Sequence, residues 1–361
     1  MSIEIASETV EDKIRSAISH NGFIDINSFF KIASFSNDDS YYRKKMPLGA
    51  KGDFITAPEI SQMFGEIIAV YILDVWQQHF NISKVNLIEL GPGRGLLMHD
   101  ILNATKRVPN FHDSINIYLL DINPELKNLQ QKALAKYDKN NIHLISNISE
   151  IPDGPSIIIA NEFFDCLGPR QFIKKSDIWH ENVVKISKND NFYIDSMLLE
   201  DNLVIERLAN YNNVSNNGIV EINFQAEDFM NALLRRISSN KLCGLIVDYG
   251  YFLDPLIRPF DTYNSSLQAL RNHKFVNIFD YICNVDLTSH IDFFAIKSLL
   301  EEKKCTTQIF SQKEFLLKFG LQIRYKILSD LNPLNIAHLN YQYDYLINKM
   351  GELFKVLEFH N

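Results

Sequence analysis

Leu87-Ile88-Glu89-Leu90-Gly91-Pro92-Gly93-Arg94-Gly95 joins a short apolar run to three alternate glycines. The run reads as a buried strand. Leu96-Leu97-Met98 with Ile101-Leu102 then reads as a helix. Strand, glycine turn and helix together place a ligand at the carboxyl edge of a parallel sheet. Glycine allows positive φ and close approach of a ligand to the backbone. The start of the following helix offers unpaired N–H groups to an anionic or polar ligand part. The dinucleotide pattern G-x-G-x-x-G needs its third glycine three positions after the second. Gly95 follows Gly93 by two, and Leu96 stands in the expected place.

Ile115-Asn116-Ile117-Tyr118-Leu119-Leu120-Asp121 is a second apolar strand ending in an acid. In a βαβ unit such an acid lies beside the first turn and can take both ribose hydroxyls. The acid Glu89, the G-x-G-x-G turn and Asp121 together resemble the class I methyltransferases, which bind S-adenosylmethionine. That resemblance makes Glu89, Gly91, Gly93, Gly95 and Asp121 the expected cofactor residues.

Upstream, Gly52-Asp53-Phe54-Ile55-Thr56-Ala57-Pro58-Glu59 opens a helix. Thr56 and Glu59 have capping-box spacing, and Pro58 falls in the first turn, where its missing N–H does no harm. Ile60 through Trp76 carries a broad apolar stripe that must pack on the sheet. Further upstream, Val10, Ile14, Ala17 and Ile18 share one helical face, which Gly22 ends.

Downstream, Asn123-Pro124-Glu125 starts a helix, Ile142 to Ile145 reads as a third strand and Ser156 to Ala160 as a fourth. The fourth ends in Asn161-Glu162-Phe163-Phe164-Asp165, where residues past the strand's carboxyl end face the ligand crevice. From 171 to 202 the pattern changes to short alternating runs separated by turns, an antiparallel insertion. Phe224 to Ile237 reads as a helix and Leu242 to Tyr249 as a fifth strand. Asp286-Leu287-Thr288-Ser289-His290-Ile291-Asp292-Phe293 opens another helix, with Asp286 and Asp292 expected in caps and substrate-loop contacts. His-x-Asp is poor ligand spacing, and no metal is expected there. Leu339 to Lys349 reads as a helix and Glu352 to Phe359 as a closing edge strand.

The chain has 361 residues, 46% of them hydrophobic, enough for a sizeable core. It bears 36 basic and 44 acidic residues, a formal net charge of −8. That balance argues against a broad nucleic-acid surface, which needs basic patches. The four cysteines are scattered without a C-x-x-C pair and read as reduced core residues. No apolar run approaches the ~18 residues of a membrane span. The first residues match neither a secretory signal nor an Arg-rich transit peptide. A cytoplasmic protein is the simplest expectation.

Several stretches together resemble one family, that of the complex I assembly factor with protein arginine methyltransferase activity and its bacterial relatives. They are Tyr41-Tyr42, Gly52-Asp53-Phe54, Thr56 to Glu66, Glu89 to Gly95 and Asn161 to Asp165. Trp179 with Glu181, Asp248-Tyr249-Gly250, Asp286-Leu287-Thr288, Asp292-Phe293 and Phe354 to Leu357 continue the match, in order. The sequence departs from the family at Cys166-Leu167-Gly168, where Ala-Leu-Pro is usual, at Asp121, often Glu, and at Cys283-Asn284, near a usual Pro-Gly.

The resemblance implies an α/β class I methyltransferase with a Rossmann-like seven-stranded sheet and an inserted, mostly helical substrate lobe. The expected division is 1–57 for N-terminal helices and a polar loop, 58–250 for the methyltransferase core with its antiparallel insertion, 251–335 for the substrate lobe and 336–361 for a closing helix and strand. It implies S-adenosyl-L-methionine as cofactor, a protein substrate such as a complex I subunit, and allows a homodimer.

Methyl transfer from a sulfonium is an in-line displacement, so catalysis is mainly positioning. A guanidinium is always protonated in solution and has no free lone pair. Carboxylates must hold it and draw its charge to one nitrogen. Glu162 and Asp165, with Asn161 beside them, are expected in that role. Thr56 and Glu59 are expected near the cofactor, and Asp53 and Glu59 stand as further carboxylate candidates. Phe163, Phe164 and Tyr249 could give the cation an aromatic face. Two other readings stay open. One is methylation of another nitrogen, since Asn161-Glu162-Phe163-Phe164 is faintly similar to the Asn-Pro-Pro-Tyr loop of amide and base methylases. The other is an assembly chaperone that binds the cofactor without turnover.

Overall fold

The computed structural model describes residues 8–44, 55–80, 84–211, 213–237, 241–259 and 262–361. The chain divides into two compact units: residues 1–47, 165–227 and 251–294 form one, and residues 48–164, 228–250 and 295–361 the other. Residues 295–335, expected in a substrate lobe, therefore belong to the unit of the parallel sheet.

In that unit β1 (Val85–Leu90), β2 (Ile115–Leu120), β3 (Ile142–Ile145), β4 (Ser156–Asn161), β5 (Leu242–Tyr251), β6 (Thr306–Ser311) and β7 (Phe354–His360) lie side by side in the order β6-β7-β5-β4-β1-β2-β3. β1 to β5 pair in parallel, and β7 runs antiparallel to both β5 and β6. All six residues of β1 are buried. Continuous apolar runs are what a parallel sheet covered on both faces requires. The strand order reverses where β1 meets β4, and that reversal opens the crevice at the carboxyl ends.

The expectation of an edge strand near the C-terminus is corrected. β7 is inserted between β5 and β6, and Phe354, Val356, Leu357 and Phe359 are buried. The edge is β6, whose polar Thr306-Thr307-Gln308 start gives no period-two signal.

Helix α1 (Gln62–Val75) buries Met63, Phe64, Ile67, Ile68, Tyr71, Ile72 and Val75. The Tyr71 hydroxyl donates to the Gly244 carbonyl on β5 at 3.1 Å, so this helix lies on the sheet. Gly65 allows α1 to approach α2 (Leu96–Thr105), because a Cβ there would stand 2.6 Å from the Asp100 Cβ. The single helix expected from Thr56 onward is two pieces. Ala57–Ile60 is one turn, and Ser61 in extended backbone then caps α1 through the Met63 N–H.

The other unit holds a five-stranded antiparallel sheet of Ile24–Asp25, Arg170–Lys175, Ile178–Ile186, Phe192–Leu198 and Ile219–Ile222. A three-stranded sheet of Gln268–Arg271, Lys274–Phe275 and Asp286–Thr288 adds to it. The helix Val10–Asn21 ends at Gly22 in the left-handed region, and it packs with Ile26–Phe35 over a core that includes Phe29, Phe30 and Val184. The expectation of a mostly helical lobe is thus corrected to one built largely on antiparallel strands. Alternating runs such as Phe192 to Leu198 suit a half-covered sheet. Gly168, where the family's usual residue is absent, is explained by packing: a Cβ would stand 2.4 Å from the Phe30 ring carbon.

Candidate functional site

The glycine turn uses all three of its glycines in left-handed backbone, with φ of 63° at Gly91, 51° at Gly93 and 79° at Gly95. L-residues with side chains pay a steric cost there. Gly95 is the N-cap of α2, and no side chain caps the first N–H groups of that helix. Gly91 also permits contact with Phe163, whose ring carbon would lie 2.9 Å from a Cβ at position 91.

A residue not expected from the sequence holds this turn. Gln130 projects from helix α3 (Pro124–Ala133), which Asn123 caps through the N–H groups of Glu125 and Leu126. Its amide nitrogen donates to the Gly93 carbonyl at 2.8 Å and to Asp121 Oδ2 at 2.9 Å. Gln130 is fully buried, and its Oε1 has no partner among the described residues. Leu126 and Gln130 at i, i+4 share the buried face of α3, which is the one signal that could have flagged it.

Glu89 lies on β1 and is buried, with Oε2 unpartnered among the described residues. Burial, and then the neighbouring Asp121, push its carboxyl up to about 8. Asp121 follows β2. Burial lifts its carboxyl to about 6, opposed by hydrogen bonds from the Asn123 backbone and Gln130. Two neighbouring acids with raised affinity for protons, Glu89 buried and Asp121 half-buried, suit a cationic or hydroxyl-bearing partner.

Thr56 makes no side-chain cap, so the expected capping box is absent. Glu59 instead reaches Arg94 of the glycine turn, at 2.9 Å, and so ties the turn before α1 to the turn after β1. Burial raises the Glu59 carboxyl, against the opposing pull of Arg94.

At the carboxyl end of β4 the Glu162 N–H donates to the Val247 carbonyl at 2.9 Å, and the backbone then turns to φ 50° at Glu162. A non-glycine residue in that region is strained, and such strain gathers at functional sites. Glu162 Oε1 accepts from the Ala57 N–H and from Asn161 Nδ2, each at 3.3 Å. Asn161 Oδ1 is buried without a partner among the described residues. Asp248, fully buried on β5, accepts from the Phe164 N–H at 3.1 Å and so fixes the loop after Glu162.

One aromatic expectation changes. Phe164 is fully buried, with its ring edge-on to Phe163, so it serves packing and offers no face to a cation. Tyr249 is half-buried, with its ring centroid 5.3 Å from that of Phe354. Phe163 keeps partial exposure over Gly91.

Asp53 lies outside the described residues. Asp165, Asp286 and Asp292 belong to the other unit, so the expected pair of Glu162 and Asp165 is divided between the two. In that unit the Tyr42 hydroxyl donates to Asp286, and burial, with Asp286, Cys166 and Asp165 nearby, raises it well above the usual phenol range. Asp292 pairs with the buried Arg258 at 3.1 Å and accepts from the Phe294 N–H at 3.0 Å. The Phe294 bond is the cap expected of Asp292, at the start of the helix Phe293–Glu302, while the Arg258 pair and the Tyr42 bond to Asp286 are interactions of a folded interior.

Residues 67–311 match the model of a family of S-adenosyl-L-methionine-dependent methyltransferases. The chain belongs to this family. It is 30% identical to the Caenorhabditis elegans protein arginine methyltransferase NDUFAF7 homolog, mitochondrial, with 89% of this chain and 76% of that protein covered. It is 29% identical to protein arginine methyltransferase NDUFAF7, mitochondrial, of Danio rerio, covering 97% and 86%. The human protein of that name is 27% identical, covering 93% and 80%. Among solved structures, a Burkholderia thailandensis protein bound to S-adenosyl-homocysteine superposes with a TM-score of 0.85 at 20% identity, covering 98% of this chain and 92% of that one. The fold is therefore that of S-adenosylmethionine-dependent enzymes, and the methyltransferase uses that cofactor. The expectation of a cytoplasmic protein is corrected by the three animal relatives above, each of which is named as mitochondrial. Free cysteines do not single out one compartment. Among the described residues no helix is long and apolar enough to cross a membrane.

Proposed function

We propose that this methyltransferase acts on an arginine side chain of a protein, and that Glu162 is the carboxylate that receives the guanidinium. The observation that carries the reading is Glu162 itself. It is an acid held at the carboxyl edge of the sheet in left-handed backbone, φ 50°, one residue after a strand. Such strain costs on the order of 1–3 kcal/mol and persists only where the surroundings over-determine it. Here Val247, Ala57 and Asn161 supply those restraints. The names of the eukaryotic relatives support arginine in a protein as the acceptor.

Bound S-adenosylmethionine supplies an electrophilic methyl group on a sulfonium. Gly91, Gly93 and Gly95 form the left-handed turn that would meet its methionine end, and the start of α2, uncapped by any side chain, would offer N–H donors. Glu89 Oε2, buried and unpartnered among the described residues, fits a cationic amino group. Asp121 fits the ribose hydroxyls, with Gln130 fixing its orientation. Glu162 aligns the guanidinium and draws its positive charge toward one nitrogen, leaving the other more nucleophilic. Asn161 holds the Glu162 carboxylate.

The resemblance makes a subunit of respiratory complex I the first protein to test, and a homodimer the assembly state to measure. The purified chain is incubated with methyl-labelled S-adenosylmethionine and extract from cells lacking it, and the labelled protein is hydrolysed in acid. Labelled methylarginine is the expected product. Labelled methyl-lysine, or label lost because a methylated amide hydrolyses, would refute arginine as the acceptor and leave the methyltransferase intact.

A further inference from the structure

Helix α4 (Leu321–Leu331) is apolar on two sides. Leu321 is buried, and Tyr325 and Leu328 pack against the core. Roughly a third of a turn away, Ile323, Ile327 and Leu331 form a second stripe at i, i+4 and i+8. These three side chains are 69%, 44% and 76% exposed. A helix with one buried face normally presents charged and polar residues elsewhere. Three large aliphatic groups in a row, exposed together, mark an interaction surface.

The stripe lines one wall of a groove of about 710 Å³ whose other wall includes Val70 of α1, itself 46% exposed. Within the groove Arg324 and Glu66 satisfy each other through two hydrogen bonds, Nε to Oε2 at 2.7 Å and Nη2 to Oε1 at 2.5 Å. That pair links α4 to α1 and keeps the walls together. Lys106 and Arg107, at the end of α2, also line the groove. Both are exposed, and no ion pair engages either among the described residues. In a chain of net charge −8, two free cations beside an apolar groove are a local feature with a specific complement.

We propose that this groove is the docking site of an amphipathic helix of another protein. Its apolar side carries leucine- or isoleucine-sized residues at helical spacing, and its edge carries acids that face Lys106 and Arg107. Apolar anchors at i, i+3, i+4 and i+7 laid into a groove are a recurring mode of helix recognition. A second copy of this chain fits less well. Pairing groove to groove sets one concave surface against another, and the acid that lines the groove, Glu66, is already taken by Arg324.

The test uses the full chain and two fluorescein-labelled helical peptides of about four turns with the same leucine stripe. One bears glutamates along its edge, the other lysines. Fluorescence anisotropy should show the glutamate peptide binding at least about tenfold tighter than the lysine peptide, with the difference shrinking as salt rises. Ile327→Glu should weaken the glutamate peptide by about tenfold or more, as loss of a central anchor does. Lys106→Glu combined with Arg107→Glu should invert the preference between the peptides. Both variants should keep the wild-type melting temperature and S-adenosylmethionine affinity, which separates this surface from the methyl-transfer site. Equal binding of the two peptides, or none, overturns the proposal. So does light scattering that finds a dimer which Ile327→Glu dissociates, because a second copy then fills the groove.

Discussion

The Gln130 side chain donates to Asp121 Oδ2 at 2.9 Å while the same nitrogen reaches the Gly93 carbonyl at 2.8 Å. One buried amide thus joins the acid after β2 to the glycine turn after β1. Gln130→Leu keeps the bulk of the side chain and removes both hydrogen bonds. S-adenosylmethionine affinity should fall by roughly 1.5–3 kcal/mol, the range for hydrogen bonds to charged groups. Calorimetry that finds the affinity unchanged would show that the turn and Asp121 hold their places without Gln130.

Gly93 sits at φ 51°, where a β-branched residue is a severe outlier. Gly93→Val should abolish measurable binding of S-adenosylmethionine, with circular dichroism showing the sheet and helices retained. Retained binding would remove this turn from the cofactor site.

How much of this was readable beforehand depends on the range of each interaction. The strand Val85–Leu90, the glycine turn and Asp121 were legible because each is a local pattern, an apolar run or a backbone that only glycine takes easily. Gln130 was not, because a glutamine on a helix looks exposed until its face is known to be buried. Thr56 and Glu59 have the spacing of a capping box, but Arg94, distant in sequence, offers Glu59 a full charge in place of a backbone N–H. β6 is a strand only because β7 pairs with it, and no local propensity announces such a tertiary choice.

The two acids of the crevice give a pH dependence with a definite sign. The Glu89 carboxyl is raised from 4.5 to about 8 and that of Asp121 from 3.8 to about 6. Between the lower and upper value the folded chain keeps a proton that the unfolded chain has released. The unfolded state then binds fewer protons, so stability falls as pH rises through each window. The slope approaches about 1.4 kcal/mol per pH unit for one group. Denaturant titrations of the ligand-free protein should show stability falling from pH 6 to pH 8, and Glu89→Gln should flatten that interval, because the Asp121 window closes at about 6. An equally steep fall in the variant would assign the proton to another group.

Glu162 offers the sharpest separation of catalysis from cofactor binding. Its carboxylate is held by the Ala57 N–H and Asn161 Nδ2, and its backbone by the Val247 carbonyl. Glu162→Gln keeps the size of the side chain and an acceptor oxygen while removing the charge. If the charge polarises a guanidinium, S-adenosylmethionine affinity should stay within about threefold while methyl transfer falls by on the order of 10²–10³, the effect of losing one preorganised electrostatic group. Glu162→Asp keeps the charge but draws it back by one methylene, and it should recover part of the rate only if charge is what matters. A Glu162→Gln enzyme as fast as wild type would exclude the carboxylate from the step. A variant that instead loses the cofactor would make Glu162 a binding residue, and the search for the guanidinium partner would move to the other carboxylates.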